Sequence, residues 1–93
     1  MFYVYCLQSK KDEEELYFGF TLDLRRRLRE HNSGENISTK KYLPWKLIYY
    51  EACLSESDAH RRERYLKTSM GRRMMKKRLK DYMKELVTKR DLG

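Results

Sequence analysis

The chain has 93 residues, with 22 Lys or Arg against 14 Asp or Glu, a net charge of +8 with histidine neutral. That length predicts one domain, and the longest apolar run, Met1 to Leu7, is far short of the roughly 20 residues a membrane helix needs. The positive excess points to a polyanionic partner, nucleic acid ahead of an acidic membrane surface.

Although 39% of the residues are charged, 13% are aromatic, which argues for a packed chain over a disordered one. Phe2-Tyr3-Val4-Tyr5-Cys6-Leu7 is β-branched and aromatic and reads as a strand. It lacks a basic leader and a small-residue cleavage site, so a cytoplasmic location is expected. The polar stretch Ser9 to Glu14 predicts a turn without glycine, and Leu16-Tyr17-Phe18-Gly19-Phe20 returns as a second strand to close a hairpin. Gly19 inside that strand predicts a bulge or a close backbone approach. Thr21 is placed to cap a first helix with Asp23 in its first turn, Leu24 and Leu28 as its apolar line and Gly34 at its end. Residues 35–44 are polar and aperiodic and predict a long loop of the kind that often carries function.

Trp45 to Leu54 reads as a third strand. Ser55 followed by Asp58 approximates a capping box for a second helix, along which Ala59, Glu63, Leu66 and Met70 form one line. Ser69-Met70-Gly71 predicts a turn or bend. Met75, Leu79, Tyr82, Met83 and Leu86 then mark one face of a third helix, with residues 87–93 as a frayed tail. The order ββαβαα predicts an α+β fold, a small three-stranded, mainly antiparallel sheet flanked by helices, in a single domain over residues 1–86. Cys6 and Cys53 lie in apolar, strand-like runs and are expected to be buried and reduced. Their spacing with His31 and His60 matches no zinc site.

Several residues are costly to explain by packing alone. Arg27 and His31 lie four apart, one turn apart on one helix face. Arginine matches phosphate oxygens bidentately and histidine can shuttle a proton near neutral pH, although an exposed basic helix face explains the pair equally well. Residues 61–80 hold ten Lys or Arg and a single acid, Glu63, on the line expected to face the sheet. A carboxylate turned inward needs a counter-charge, either an arginine or a metal ion. Tyr5 and Tyr17, on the two hairpin strands, are either core aromatics or a pair of hydroxyls facing one site.

In order and at this spacing, Tyr3-Val4-Tyr5, Tyr17-Phe18-Gly19, Asp23 to Asn32, Ser38-Thr39-Lys40, Pro44 to Glu51 and Ala59 to Lys67 resemble the GIY-YIG nuclease superfamily. The likeness covers residues 2–82 and is closest to its small, stand-alone bacterial branch, similar to the amino-terminal nuclease module of UvrC. Three positions depart from the pattern. Position 3 is Tyr where the signature has Gly, the hairpin turn carries acids in place of glycine, and the nearest counterpart of a late site asparagine is Asp81.

The resemblance implies a metal-dependent endonuclease that hydrolyses phosphodiester bonds of DNA or structured nucleic acid with one Mg²⁺ or Mn²⁺. It implies Tyr5 as general base and Tyr17 as the second tyrosine of the site. Arg27 would stabilise the charge of the transition state, and His31 would assist at the attacking or leaving oxygen. Glu63 would be the metal ligand, and Gly19 would keep the strand open for close substrate approach. Lys40, Lys41, Arg61, Arg62, Arg72 and Arg73 are the candidate nucleic-acid contacts. Larger relatives take target choice from a second DNA-binding domain, so a protein partner supplying it is expected here. The competing readings are a nucleic-acid-binding module of the same fold without useful activity, and an interaction protein whose basic helices meet an acidic surface.

Overall fold

The computed structural model describes residues 1–92, with side chains described through Lys89. The order of elements is α+β, as the sequence predicts, with a three-stranded antiparallel sheet in the order β2-β1-β3. Strand β1 (Phe2–Ser9) lies at the centre, flanked by β2 (Leu16–Thr21) and β3 (Trp45–Cys53). The β1–β2 turn manages without glycine because side chains cap it. Ser9 Oγ accepts from the backbone N–H groups of Lys11 (3.1 Å) and Asp12 (3.0 Å), and Asp12 Oδ1 accepts from Glu14 N–H (3.1 Å).

The bulge falls elsewhere than at Gly19. The β1–β2 register runs without interruption, with Gly19 opposite Tyr5. The irregularity lies between β1 and β3, where Cys6 pairs Tyr49 and Leu7 pairs Leu47, leaving Ile48 over. Gly19 answers instead to a close approach: a Cβ there would collide with the Tyr5 hydroxyl and lie 2.5 Å from Tyr5 Cζ. The space is taken by the chain's own tyrosine, which corrects the expectation that it is kept open for substrate.

Helix α1 (Leu24–Asn32) is capped by Asp23, whose Oδ1 accepts from Arg26 N–H at 3.1 Å. The predicted cap, Thr21, instead accepts from Asp23 N–H at 3.1 Å and fixes the approach to the helix. Gly34 closes the end of α1 with φ +80°, a conformation that favours glycine. Leu24 and Leu28 pack against Tyr5, Leu7 and Trp45 on one face of the sheet. Residues 35–44 contain one turn of helix, α2 (Ile37–Lys40), which the sequence reading leaves as loop because four residues show no period. On the other sheet face Phe2 stacks on Phe20 (6.1 Å), and Phe20 stacks on His60 (4.1 Å) of α3 (Glu56–Leu66). Cys6 is buried and Cys53 half-buried; both are free thiols.

The chain divides into two compact units, Met1–Glu63 and the residues from Arg64 onward. The second unit takes in the end of α3, then α4 (Ser69–Arg78) and α5 (Lys80–Leu92). Residues 69–71 form the first turn of α4, not a free bend, because Thr68 Oγ1 accepts from Gly71 N–H at 3.1 Å. Gly71 is needed there, since a Cβ would strike the Tyr65 carbonyl and sit 2.7 Å from Leu66 Cα. The predicted single helix to Leu86 is two helices, broken at Leu79 (φ −102°, ψ 20°). The apolar period cannot reveal this break, because the bonds Leu79 N–H to Met75 O (2.9 Å) and Met83 N–H to Leu79 O (3.0 Å) both survive it. Helix α5 continues through 87–92 where a frayed tail is predicted, a stretch that no Gly or Pro interrupts; Gly93 lies outside the described residues.

Candidate active site

Four of the predicted site residues meet on the α1 face of the sheet. Tyr5 points from the central strand toward α1, where Arg27 and His31, one helical turn apart, close over its hydroxyl. Tyr5 Oη lies 2.8 Å from His31 Nε2, and Arg27 Nε donates to Tyr5 Oη at 3.3 Å. The Tyr17 ring lies 4.9 Å from the His31 ring in an edge-to-face contact and 6.4 Å from the Tyr5 ring. Tyr5 is 2% exposed and His31 0%, whereas Tyr17 and Arg27 are half-buried. Tyr17 is therefore the tyrosine of the pair with more solvent contact.

Burial sets the electrostatics of this group. Loss of solvation pushes the Tyr5 hydroxyl up to about 12, against the opposing hydrogen bond and charge of Arg27. Burial, reinforced by the Arg27 charge, pushes His31 down to about 4, so its imidazole is neutral at physiological pH. The hydrogen bond to Tyr5 strengthens the hold of Arg27 on its proton. Its Nη1 also donates to Glu30 Oε2 at 2.9 Å, and that hydrogen bond holds the Glu30 carboxyl below its usual range. Arg26 joins the same carboxylate at 3.0 Å.

His31 does not reach the surface, and both of its ring nitrogens are engaged, Nε2 by Tyr5 and Nδ1 by Thr39 Oγ1 at 3.0 Å. A direct contact of His31 with a substrate oxygen, which the resemblance implies, would require one of these two contacts to open. Thr39 comes from α2, inside the polar stretch that has no readable period. Its backbone C=O accepts from the Trp45 indole N–H at 2.8 Å. Asn32, at the end of α1, clamps both backbone groups of Trp45, accepting from its N–H at 2.6 Å and donating to its C=O at 2.9 Å. Sequence reasoning assigned no role to Thr39, Asn32 or Glu30. The one signal for each was its place in a stretch the resemblance includes, Asp23 to Asn32 for Glu30 and Asn32 and Ser38 to Lys40 for Thr39.

Glu63, on α3, has an 18% exposed side chain, with Oε1 3.5 Å from His60 Nδ1. Its charge bears on Tyr5, raising the phenol further. Among the described residues no group of three or more His, Cys, Asp or Glu is placed to hold a metal ion. A lone carboxylate suits Mg²⁺, a cation that keeps several waters and takes phosphate oxygens from its substrate.

The predicted nucleic-acid contacts are spread over both units. Lys40, the last residue of α2, and Lys41, its C-cap, are exposed, with Lys41 Nζ 5.5 Å from the Tyr42 ring centre. Arg61 is exposed and paired to Asp58 at 2.6 Å. Half-buried Arg62 is turned inward, its Nε donating to both oxygens of Glu51 at 3.0 Å, so it ties α3 to β3. Arg72 and Arg73 are exposed on α4, in the second unit. Asp81 is exposed on α5, also in the second unit.

The central strand thus offers a tyrosine to an arginine and a histidine on the next helix. A family model described as the GIY-YIG catalytic domain matches residues 1–78, and the chain belongs to the GIY-YIG family, a family of nucleases. It is similar to small proteins named UPF0213. One is HQ_3675A of Haloquadratum walsbyi, 39% identical over 67 residues, covering 71% of this chain and 73% of that one. Others are SAG0778 of Streptococcus agalactiae (41% over 66 residues; 70% and 73%) and CPE1444 of Clostridium perfringens (40% over 68 residues; 72% and 71%). No solved structure gives a significant match. No helix among the described residues is long and apolar enough to cross a membrane.

Proposed function

We propose that this chain is a cytoplasmic endonuclease that hydrolyses phosphodiester bonds of DNA or structured nucleic acid with one Mg²⁺ or Mn²⁺, leaving 5′-phosphate and 3′-hydroxyl ends. The observation that carries the reading is the Tyr5 hydroxyl held between a fixed cation and a proton acceptor, 3.3 Å from Arg27 Nε and 2.8 Å from His31 Nε2. A water attacks phosphorus, and Tyr5 oxygen takes its proton as the phenolic proton shifts to His31 Nε2. The bond from phosphorus to the 3′ oxygen breaks, and that oxygen is protonated from solvent. In the resting site Tyr5 stays a neutral phenol. Burial favours the phenol form of Tyr5 and the neutral form of His31, so full transfer to His31 is strongly uphill in the resting site. The double shift therefore belongs to the transition state, where Arg27 opposes the negative charge on the phenol oxygen and the phosphoryl group. Glu63 would hold the divalent cation, which acts as a Lewis acid on the phosphate. Tyr17 lines the approach to the group, and the Lys and Arg side chains of α4 attract the nucleic acid backbone.

The test is nicking of plasmid, single-stranded and branched DNA with Mg²⁺ or Mn²⁺, against chelator controls. Arg27→Ala and Glu63→Ala are each expected to lose roughly 100-fold or more in rate while the circular dichroism spectrum is kept. Salt-sensitive binding of DNA without cutting would replace the enzyme with a binding module, and absence of binding at low salt would remove nucleic acid as the partner.

A further inference from the structure

We propose that Thr39 is a positioning residue that fixes His31 as the tautomer protonated on Nδ1, leaving Nε2 bare to accept the Tyr5 proton; the consequence for cutting rests on the nuclease reading above, the tautomer does not. The assignment follows link by link from donors and acceptors. Tyr5 Oη has two hydrogen-bond partners, Arg27 Nε and His31 Nε2. Arginine carries donors only. The phenolic proton therefore points at His31 Nε2, which must carry none. A neutral imidazole then bears its proton on Nδ1, directed at Thr39 Oγ1 3.0 Å away. A hydroxyl can accept there only by sending its own proton elsewhere, and Thr39 Oγ1 has that outlet in the Asn36 carbonyl at 3.4 Å.

The threonine is fixed for this purpose from several sides. It is fully buried. Asn36 caps the turn that carries it, accepting from Ser38 N–H at 2.9 Å. The Trp45 indole holds its carbonyl, and Asn32 holds Trp45. Without the Thr39 oxygen, an Nδ1–H would be a buried donor with no acceptor, which is costly. The imidazole would then move its proton to Nε2. That would put two donors, Nε2–H and Arg27 Nε–H, on the phenol oxygen and leave the phenolic proton without an acceptor. The path from Tyr5 into His31 would be closed while every residue of the proposed chemistry remained in place.

The experiment compares the wild-type chain with Thr39→Val, which keeps the shape and loses the hydroxyl, and Thr39→Ser, which restores it. Ring ¹⁵N shifts of His31, assigned with a His60→Gln control, report the tautomer at neutral pH without reference to activity. Wild type and Thr39→Ser are expected to show Nδ1 protonated and Nε2 bare, and Thr39→Val to show Nε2–H. In the nicking assay Thr39→Val is expected to lose 10- to 100-fold in kcat with little change in KM, and Thr39→Ser to recover most of it. Nε2–H in the wild type overturns the proposal and needs no variant to fold, as does a Thr39→Val protein with unchanged shifts. A wild type with the expected tautomer that cuts no nucleic acid supports the role of Thr39 and overturns the nuclease reading instead.

Discussion

A buried neutral histidine makes folding depend on pH in a calculable way. His31 is held down to about 4 by burial and by Arg27, against 6.5 for the unperturbed side chain. Between those values the unfolded chain binds more protons than the native one, so stability rises with pH across the window. The contribution is complete above pH 6.5 and is lost as pH falls toward 4. The full span is worth about 3 kcal/mol, and about 2 kcal/mol of it is already gone at pH 5, where most carboxylates remain ionised. Against a total stability of roughly 5–15 kcal/mol, a loss of that size is large. Urea unfolding at pH 7, 6 and 5 measures it, and His31→Gln serves as the non-titrating reference. With an m-value of roughly 1–1.5 kcal/mol/M, the wild-type midpoint should fall about 1.5–2 M further than that of the variant. His60 is present in both proteins, so the comparison isolates His31. Equal losses in the two proteins between pH 7 and 5 would mean that His31 is not a buried neutral base, and the electrostatic account of the site would fail with it.

Gly19→Ala drives a methyl group into Tyr5, whose Cζ would have to retreat by about 1 Å to reach ordinary carbon contact distance. The displacement breaks the 2.8 Å contact to His31; a loss of roughly 100-fold in nicking rate and about 1–3 kcal/mol in stability is expected, and wild-type values for both would refute the close approach. Replacing Arg72, Arg73, Lys76 and Lys77 together by Gln removes four exposed charges from α4. The slope of log K against log salt for duplex DNA should become shallower by up to about 3–4, and an unchanged slope would take this helix out of the binding surface.

Where the sequence is periodic it is legible, and where function depends on single contacts it is not. Alternation and aromatic content mark the three strands, and the Leu24–Leu28 line marks α1. Four-residue spacing places Arg27 and His31 on one helix face, and the hairpin brings Tyr5 and Tyr17 onto one sheet face. Thr39 is hidden because one helical turn has no period and because its partner, His31, is eight residues away through an irregular segment. Glu30 is hidden for the opposite reason. An acid on a basic helix reads as solubility until its oxygens are seen on Arg26 and Arg27. Arg62 is indistinguishable by type from its basic neighbours, and only the packing of α3 on β3 shows that it answers Glu51. Gly19 and Gly71 announce close approaches, but the atoms they avoid, a phenol in one case and a backbone carbonyl in the other, come from the fold.

The charge of the chain takes on a different meaning once the two units are known. Residues 1–63 carry eleven Lys or Arg and eleven Asp or Glu, a net of zero, so the entire excess of +8 falls on residues 64–93, where eleven bases meet three acids. All five residues proposed for the chemistry, Tyr5, Tyr17, Arg27, His31 and Glu63, lie in the neutral unit. Several of that unit's bases are already matched inside it, Arg26 and Arg27 by Glu30, Arg61 by Asp58 and Arg62 by Glu51. A balanced surround suits a site that must hold an imidazole neutral, because each unmatched cation near His31 would lower its proton affinity further and make it a poorer acceptor for the Tyr5 proton. Attraction of a polyanion makes the opposite demand, a dense and unbalanced field. The second stretch of chain, with eleven bases against three acids, meets that demand.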